Sequence, residues 1–188
     1  MRGEVAQPLR LAPTRGVRAG RHRSAWRCGP ASQPEKRRRG SAETGSARRV
    51  LVIDDERSIR MLCRINLAAS GMEVLEAEDG TNGIELARKE RPDLILLDVM
   101  MPGIDGWEVA RRLARDEETS DIPIVFLTAR VGLEDRQLGE QVGGVGYVVK
   151  PFDPVEIGRV IESVLTRLER GEREQLRREM THGPEERT

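Results

Sequence analysis

The sequence predicts a doubly wound α/β fold, in which helices cover both faces of a five-stranded parallel sheet. Three observations support this prediction. The run Leu94–Leu97 is uniformly apolar, as in a strand that is buried on both faces. Short apolar runs alternate along the chain with segments of helical periodicity. The length from 48 to 170 suits one domain of this kind.

Five short runs are predicted to form the strands. Most are continuously apolar, whereas the second places glutamates among its apolar residues and is predicted to be exposed. The strands are expected at Arg49–Ile53, Glu73–Ala77, Leu94–Leu97, Pro123–Leu127 and Val145–Val149.

Five helices are predicted between and after these strands. The first carries apolar positions at helical spacing and ends at Gly71; the next three are expected at about 80–90, 106–115 and 131–142. The fourth is predicted to be weak because Gly132 and Gly139 each cost about 1 kcal/mol relative to alanine.

The last helix has the clearest pattern. Asp153 is a candidate N-cap, Pro154 stands at the first helical position, and Glu156 completes a capping-box-like pair. An apolar stripe at i, i+3, i+4 and i+7 then follows, formed by Ile157, Val160, Ile161, Val164, Leu165 and Leu168.

The two ends of the chain differ from this domain in composition. Residues 1–47 hold 11 Lys+Arg against 3 Asp+Glu, a net charge of +8, which leaves 21 against 29, net −8, for 48–188. Residues 1–47 lack apolar periodicity and are predicted to be a disordered basic tail. Residues 171–188 are almost entirely charged and are predicted to fray into solvent as a C-terminal tail.

Targeting signals and cysteine patterns are also informative. No apolar segment follows the basic residues as in a secretory signal, and none approaches the length of a membrane span, so a cytoplasmic location is expected. Cys28 and Cys63 form neither a metal-binding spacing nor a disulfide framework. Cys63 is expected to be a small core residue.

Polar residues follow four of the predicted strands at the point where each strand ends. They are Asp54 and Asp55, Asp98, Thr128, and Lys150. The carboxyl ends of parallel strands meet at one edge of the sheet, where such folds bind ligands. Three crowded carboxylates repel one another unless a cation neutralises them, and Mg²⁺ favours oxygen ligands. A hydroxyl and an ammonium group beside them can hold phosphoryl oxygens.

Each of these residues also has an ordinary structural explanation. Asp98 or Thr128 could cap a helix, Asp54 and Asp55 could begin one in solvent, and Lys150 could be a surface charge. Their joint placement on four strand ends favours a functional site. Lys150 has separate support, because Lys89 and Lys150 are the only lysines among the 21 basic residues after position 47. A compact ammonium group suits a crowded phosphate site.

At these motifs the chain resembles the receiver domain of bacterial two-component response regulators, of the single-domain type, which has a flavodoxin-like fold. The resemblance covers about 48–170. Its motifs are Val-Leu-Val-Ile-Asp-Asp-Glu at 50–56, Leu-Leu-Asp-Val-Met-Met-Pro-Gly-Ile-Asp-Gly at 96–106, Leu-Thr-Ala-Arg at 127–130 and Tyr-Val-Val-Lys-Pro-Phe at 147–152.

The resemblance implies a phosphorelay function. Asp98 would accept a phosphoryl group from a sensor histidine kinase or a phosphotransfer protein. Asp55 and Asp98 would bind Mg²⁺ together with the backbone carbonyl of Met100, and Asp54 would act largely through water. Such a domain is not an enzyme in the ordinary sense, but assists its own phosphorylation and dephosphorylation.

The same resemblance assigns the remaining residues. Thr128, the Ala129 amide and Lys150 would bind the phosphoryl oxygens, and Thr128 with Tyr147 would form a switch. The Lys150–Pro151 peptide would be cis. The glycine-rich approach to strand five, Gly143-Gly-Val-Gly, departs from the family pattern and is expected to be loose.

Phosphorylation would then change a protein-binding face formed by helix four, strand five and helix five, which would dock a downstream protein or a second copy. Other functions are weighed against this one. A dehalogenase-type phosphatase would carry Asp-x-Asp on strand one, where this chain has Asp54-Asp55-Glu56. A phosphorylation-independent interaction module would usually lack a site residue. Nucleic-acid contact through the basic tail is an alternative that a solvated tail explains more simply.

Overall fold

A computed structural model describes residues 47–129 and 132–182. In these ranges five parallel strands form one sheet with the order β2-β1-β3-β4-β5. The strands are β1 (Arg49–Ile53), β2 (Glu73–Ala77), β3 (Leu94–Asp98), β4 (Ile124–Thr128) and β5 (Gly144–Val149). The predicted doubly wound parallel sheet is therefore confirmed.

Six helices accompany the strands in the described part of the chain, one more than the sequence predicted. They are α1 (Arg57–Ala69), α2 (Gly80–Glu90), α3 (Gly106–Arg115), α4 (Leu133–Gln141), α5 (Pro154–Glu169) and α6 (Arg173–His182). Asp153 caps α5 as predicted, since its side chain accepts a hydrogen bond from the backbone N–H of Val155 at 2.8 Å. The basic tail at 1–46 and the end of the chain at 183–188 lie outside the described residues.

The core consists of two apolar layers, one on each face of the sheet. Alternation along the buried strand β3 divides its residues, so that Leu94 and Leu96 pack with α1 and α5, and Ile95 and Leu97 pack with α2 and α3. Cys63 belongs to the first layer and is fully buried, as the sequence predicted. Both faces of the sheet are thus covered by apolar packing, which leaves the ends of the strands as the place where polar side chains can meet.

The strand β5 lies at the edge of the sheet and contains an irregularity. Ile124 is paired with Gly144, but the next residue, Val125, is paired with Gly146, so one extra residue is inserted in β5. The positive φ of 88° at Gly143 is the conformation that glycine adopts most readily. The glycine-rich sequence here therefore matches a turn and a bulge.

The helix α6 corrects the prediction that residues after 171 fray into solvent. Leu176 and Met180 are one helical turn apart, and both are buried. Leu176 joins the apolar layer that includes Val145 and Val148 of β5, and α6 as a whole contacts β5 and α4. Two apolar residues in a highly charged segment give too short a stripe for a sequence pattern to reveal.

No helix among the described residues combines the length and the apolar character that a membrane span requires.

Candidate functional site

The sheet brings the predicted polar residues to one edge. Asp98 ends β3 and Thr128 ends β4, while Asp54 and Lys150 directly follow β1 and β5. Because all five strands are parallel, these positions share the carboxyl edge of the sheet. The backbone N–H of Lys150 donates to the carbonyl of Thr128 at 2.7 Å, which holds the ends of β4 and β5 together.

Three carboxylates lie close together in this site. Asp54, Asp55 and Asp98 each offer one oxygen, and these oxygens lie within 4.8 Å of one another. The side chains differ in burial, since Asp54 is 0% and Asp98 is 3% exposed, whereas Asp55 is exposed. Buried carboxylates require positive charge or hydrogen-bond donors nearby.

Lys150 supplies that positive charge. Its Nζ donates to Asp54 Oδ2 at 2.7 Å and lies 3.1 Å from Asp98 Oδ1. Burial alone would lower the pKa of Lys150, but the hydrogen bonds and negative charges of Asp54 and Asp98 outweigh it and raise that pKa. The ammonium group therefore stays charged between the two carboxylates.

The pKa of Asp54 is also raised, but here burial is the dominant cause. Burial raises its pKa above the usual value for aspartate, and the hydrogen bonds from Lys150 and from the backbone N–H of Glu56 offset only part of this effect. The second of these bonds, to Asp54 Oδ1, is 2.8 Å long. The two oxygens of Asp54 are thus fixed by different donors.

Arg60 on α1 holds the turn that carries the acidic pair. Its Nη1 donates to the backbone carbonyl of Asp54 at 2.7 Å and to that of Asp55 at 3.0 Å. The sequence pattern did not indicate a role for this residue. Arg60 is a basic residue near the start of a helix that follows two aspartates. Many surface arginines have the same setting, so this setting does not predict the contact.

Gly106 at the start of α3 allows the loop after Asp98 to pack closely. A Cβ atom at this position would lie 2.1 Å from the backbone oxygen of Asp98. The N–H of Gly106 donates to the carbonyl of Val99 at 3.0 Å, and Asp105 caps the helix by accepting from the N–H of Glu108. Met100 in this loop is 74% exposed.

The phosphoryl-binding and switch residues of the prediction are placed as follows. Thr128 is buried at the end of β4, and Ala129 beyond it is exposed. Tyr147 is half-buried in β5, where its ring lies 5.6 Å from that of Phe126 and its hydroxyl donates to the carbonyl of Asp135 on α4 at 2.7 Å. Burial raises the pKa of Tyr147 above its ordinary value, so the hydroxyl stays protonated. The Lys150–Pro151 peptide is cis, as expected.

The donor set fits a hard divalent cation. Carboxylate oxygens are the ligands that Mg²⁺ prefers, and the exposed Asp55 leaves the site open to solvent on one side. Lys150 offsets part of the negative charge of Asp54 and Asp98, so a cation would complete the neutralisation rather than supply all of it. The site can therefore hold a metal ion and an anionic group side by side.

Acidic residues, a threonine and a lysine thus converge at the carboxyl edge of a parallel α/β domain. A family model described as the response regulator receiver domain matches residues 50–162, and the chain belongs to this family of two-component signal transduction proteins.

Comparison with known proteins gives consistent results. The chain is 43% identical over 122 residues to the DNA-binding dual master transcriptional regulator RpaA of Synechocystis, a match covering 65% of this chain and 51% of that protein. It is 45% identical over 126 residues to the phosphate regulon transcriptional regulatory protein PhoB of Pseudomonas aeruginosa, covering 66% of this chain and 55% of that protein. The chain thus matches about half the length of these curated relatives.

Among solved structures, the chemotaxis protein CheY4 of Vibrio cholerae has a TM-score of 0.60 and 34% sequence identity. The match covers 63% of this chain and 99% of that one.

Proposed function

We propose that this protein receives a phosphoryl group on Asp98 from a histidine kinase or a phosphotransfer protein. The observation that carries the proposal is the convergence on Asp98 of Lys150, whose Nζ lies 3.1 Å from Oδ1, and of the carboxylates of Asp54 and Asp55. A carboxylate becomes a useful nucleophile towards a phosphoryl group when nearby positive charge offsets the repulsion between the two anions.

The reaction is a transfer between two side chains. A carboxylate oxygen of Asp98 forms a bond to phosphorus, and the bond from phosphorus to the histidine nitrogen of the donor breaks. The bonding electrons leave with the imidazole, which takes up a proton, and an acyl phosphate remains on Asp98. Lys150 and the hydroxyl of Thr128, with the Ala129 amide, bind the phosphoryl oxygens as charge develops on them.

Asp55, Asp98 and the carbonyl of Met100 would hold Mg²⁺, with Asp54 acting largely through water. When bound, this ion supplies positive charge that lowers the repulsion between the acceptor and the incoming phosphoryl group. The chain's own contribution is to fix the ligands. Arg60 holds the turn that carries Asp54 and Asp55, and Gly106 allows the loop after Asp98 to pack closely against the start of α3.

The phosphorylated state would be read at the surface that we call the α4–β5–α5 face, formed by α4, β5 and the solvent side of α5. Tyr147 connects this face to the site, because it lies three residues before Lys150 and bonds to α4. A downstream protein or a second copy of the chain would dock there. Contact with nucleic acid through residues 1–47 is a separate hypothesis on residues almost all of which lie outside the described structure.

The test is mass measurement after incubation with acetyl phosphate and Mg²⁺. Wild type should gain the mass of one phosphoryl group, and chelation of Mg²⁺ should abolish the gain. Asp98→Asn should not be labelled, because an amide cannot form the acyl phosphate. Asp121→Asn, which changes an exposed aspartate outside the site, should label like wild type. Full labelling of Asp98→Asn, or labelling without Mg²⁺, would contradict the assignment.

A further inference from the structure

The C-terminal helix α6 lies on the α4–β5–α5 face. It contacts β5 and α4 and, less extensively, α5. Leu176 is 5% and Met180 is 6% exposed, and Leu176 joins the apolar layer that includes Val145 and Val148 of β5. A face that would otherwise present an open strand edge is therefore partly covered by the chain itself.

Polar contacts fix the position of α6. The guanidinium of Arg167 on α5 donates two parallel hydrogen bonds to the carboxylate of Glu179, at 2.8 and 3.0 Å, and a third to Glu172 at 2.9 Å. At the other side Arg173 donates to the backbone carbonyl of Asp121 at 2.5 Å. A bidentate arginine–carboxylate pair specifies orientation as well as contact. The helix is thus docked in one register.

The coverage is incomplete. A groove of about 630 Å³ remains between α5 and α6, lined by charged and polar side chains such as Arg159, Glu162 and Gln175. Apolar side chains also remain exposed on β5 and α5, namely Val149 at 50%, Val155 at 64% and Val160 at 41%. The sequence pattern had placed Val160 in the apolar stripe of α5. A helix with only 10 residues is not stable alone in water, so α6 keeps its structure only while docked.

We propose that α6 is an autoinhibitory segment: it occupies the α4–β5–α5 face in cis, and an amphipathic helix of a partner protein can dock on that face only by displacing it. The position of α6 defines the chemistry of that helix. It carries two apolar side chains four residues apart and a carboxylate that pairs with Arg167. This inference concerns the contacts of α6 alone and does not depend on phosphorylation of Asp98.

Because α6 belongs to the same chain, it lowers the apparent affinity of this surface for a partner helix. A segment joined through the short turn at Gly171 competes at an effective concentration of the order of millimolar. A free helix of equal affinity therefore binds poorly until α6 is displaced, and weakening the docking of α6 should strengthen binding in trans.

The experiment is a fluorescence anisotropy titration with a labelled peptide of the sequence 172–188, using the full unphosphorylated chain. The displaced form is the double variant Leu176→Asp, Met180→Asp, whose α6 cannot bury its two anchors. We expect it to bind the peptide at least tenfold more tightly than wild type does. Glu174→Gln, on the exposed side of α6, is the matched control and should behave like wild type.

A variant peptide and a further chain variant serve as additional tests. A peptide carrying the same two aspartates should bind no form of the chain. Glu179→Ala, which removes the pair with Arg167 from the α6 side and leaves the docking face unchanged, should give intermediate exposure of α6 to amide exchange. If the double variant loses the slow exchange of β1 and β3, Glu179→Ala replaces it in the titration. Equal peptide binding by wild type and by a folded, displaced variant would overturn the proposal, as would absence of binding to every form.

Discussion

At the scale of single residues, Lys150 explains why two carboxylates can be buried side by side. Asp54 and Asp98 are almost inaccessible to water, and each has an oxygen close to the same Nζ, at 2.7 and 3.1 Å. An ammonium group can approach two carboxylates from one point, whereas a planar guanidinium would need more space. The retention of lysine in an arginine-rich chain thus has a geometric reason.

Met100 should control how long the phosphorylated form persists. It is two residues past Asp98, is 74% exposed, and has no group that could orient an attacking water. We expect slow decay in wild type and faster decay in Met100→Asn, by up to about 100-fold, since an amide can orient that water. The measurement is the loss of phosphorylated protein with time after removal of acetyl phosphate.

Met61→Asn changes a methionine that is also exposed but lies on α1, and it should leave the decay rate unchanged. Equal decay rates in wild type and in Met100→Asn would show that this position is not the control. We also expect Arg130, two residues past Thr128, to flank the path of that water; this residue lies outside the described residues.

The residues of the site differ in how far the sequence could predict them. Asp54, Asp98, Thr128 and Lys150 were predictable because parallel strands place their ends at one edge, so strand ends alone fix the neighbourhood. Arg60 and Gly106 were not predictable. Arg60 acts through hydrogen bonds to backbone carbonyls, and Gly106 is required because any side chain there would clash with the backbone. Neither effect leaves a pattern of residue types.

At the scale of elements, the junction between β3 and α3 depends on Gly106. A Cβ atom would lie 2.1 Å from the backbone oxygen of Asp98, so Gly106→Ala must push the helix or the loop aside. We expect a loss of unfolding free energy of about 1–3 kcal/mol, the range for overpacked sites, and weaker labelling of Asp98. Urea unfolding and the acetyl phosphate assay measure the two effects.

Gly146→Ala is the matched control, because the nearest atom to its Cβ would be 3.9 Å away. It should change the unfolding free energy by less than about 0.5 kcal/mol. If both variants lost the same stability, close packing at Gly106 would not be the cause.

Tyr147 connects β5 to α4. Its hydroxyl bonds to the carbonyl of Asp135, and Gly139 on the same helix leaves room for it, since a Cβ there would lie 2.2 Å from the hydroxyl oxygen. Tyr147→Phe keeps the ring on Phe126 and removes only the bond. We expect about 1 kcal/mol lower stability in urea unfolding. Faster amide exchange should accompany it in α4 but not in α2, and unchanged exchange in α4 would contradict the role of this bond.

The helices α5 and α6 differ in how far their sequence patterns predict them. The helix α5 was predictable because its cap, its proline and most of its apolar stripe agree over sixteen residues. The helix α6 was missed because, among its side chains described at 173–180, the buried ones are Leu176 and Met180, which lie between charged neighbours. Its docking depends on the open edge of β5 and on Arg167, which belong to distant parts of the fold.

At the scale of the whole molecule, the site and the output face share elements. The ends of β4 and β5 carry Thr128 and Lys150, and the same strand β5 carries Tyr147 towards α4 and supports α6. A phosphoryl group that draws Thr128 and Lys150 together would act on the elements beneath α6. A ligand shifts such an equilibrium only as far as it binds the two arrangements differently.

Amide hydrogen exchange can test whether the site is coupled to the α4–β5–α5 face. It is measured with Mg²⁺, with and without beryllofluoride, a mimic of the phosphoryl group. Protection should change across 132–160 and in α6, because these segments include or contact β5 and α4. The helices α1 and α2 are not part of that face and should exchange as before; α2 packs against β1, β2 and α3, and α1 packs against β2 and α5. Asp98→Asn treated in the same way should show no change, which separates occupancy of the site from added salt. A response confined to the loop after Asp98 would mean that the α4–β5–α5 face does not report phosphorylation, and that the docking of α6 is independent of the site.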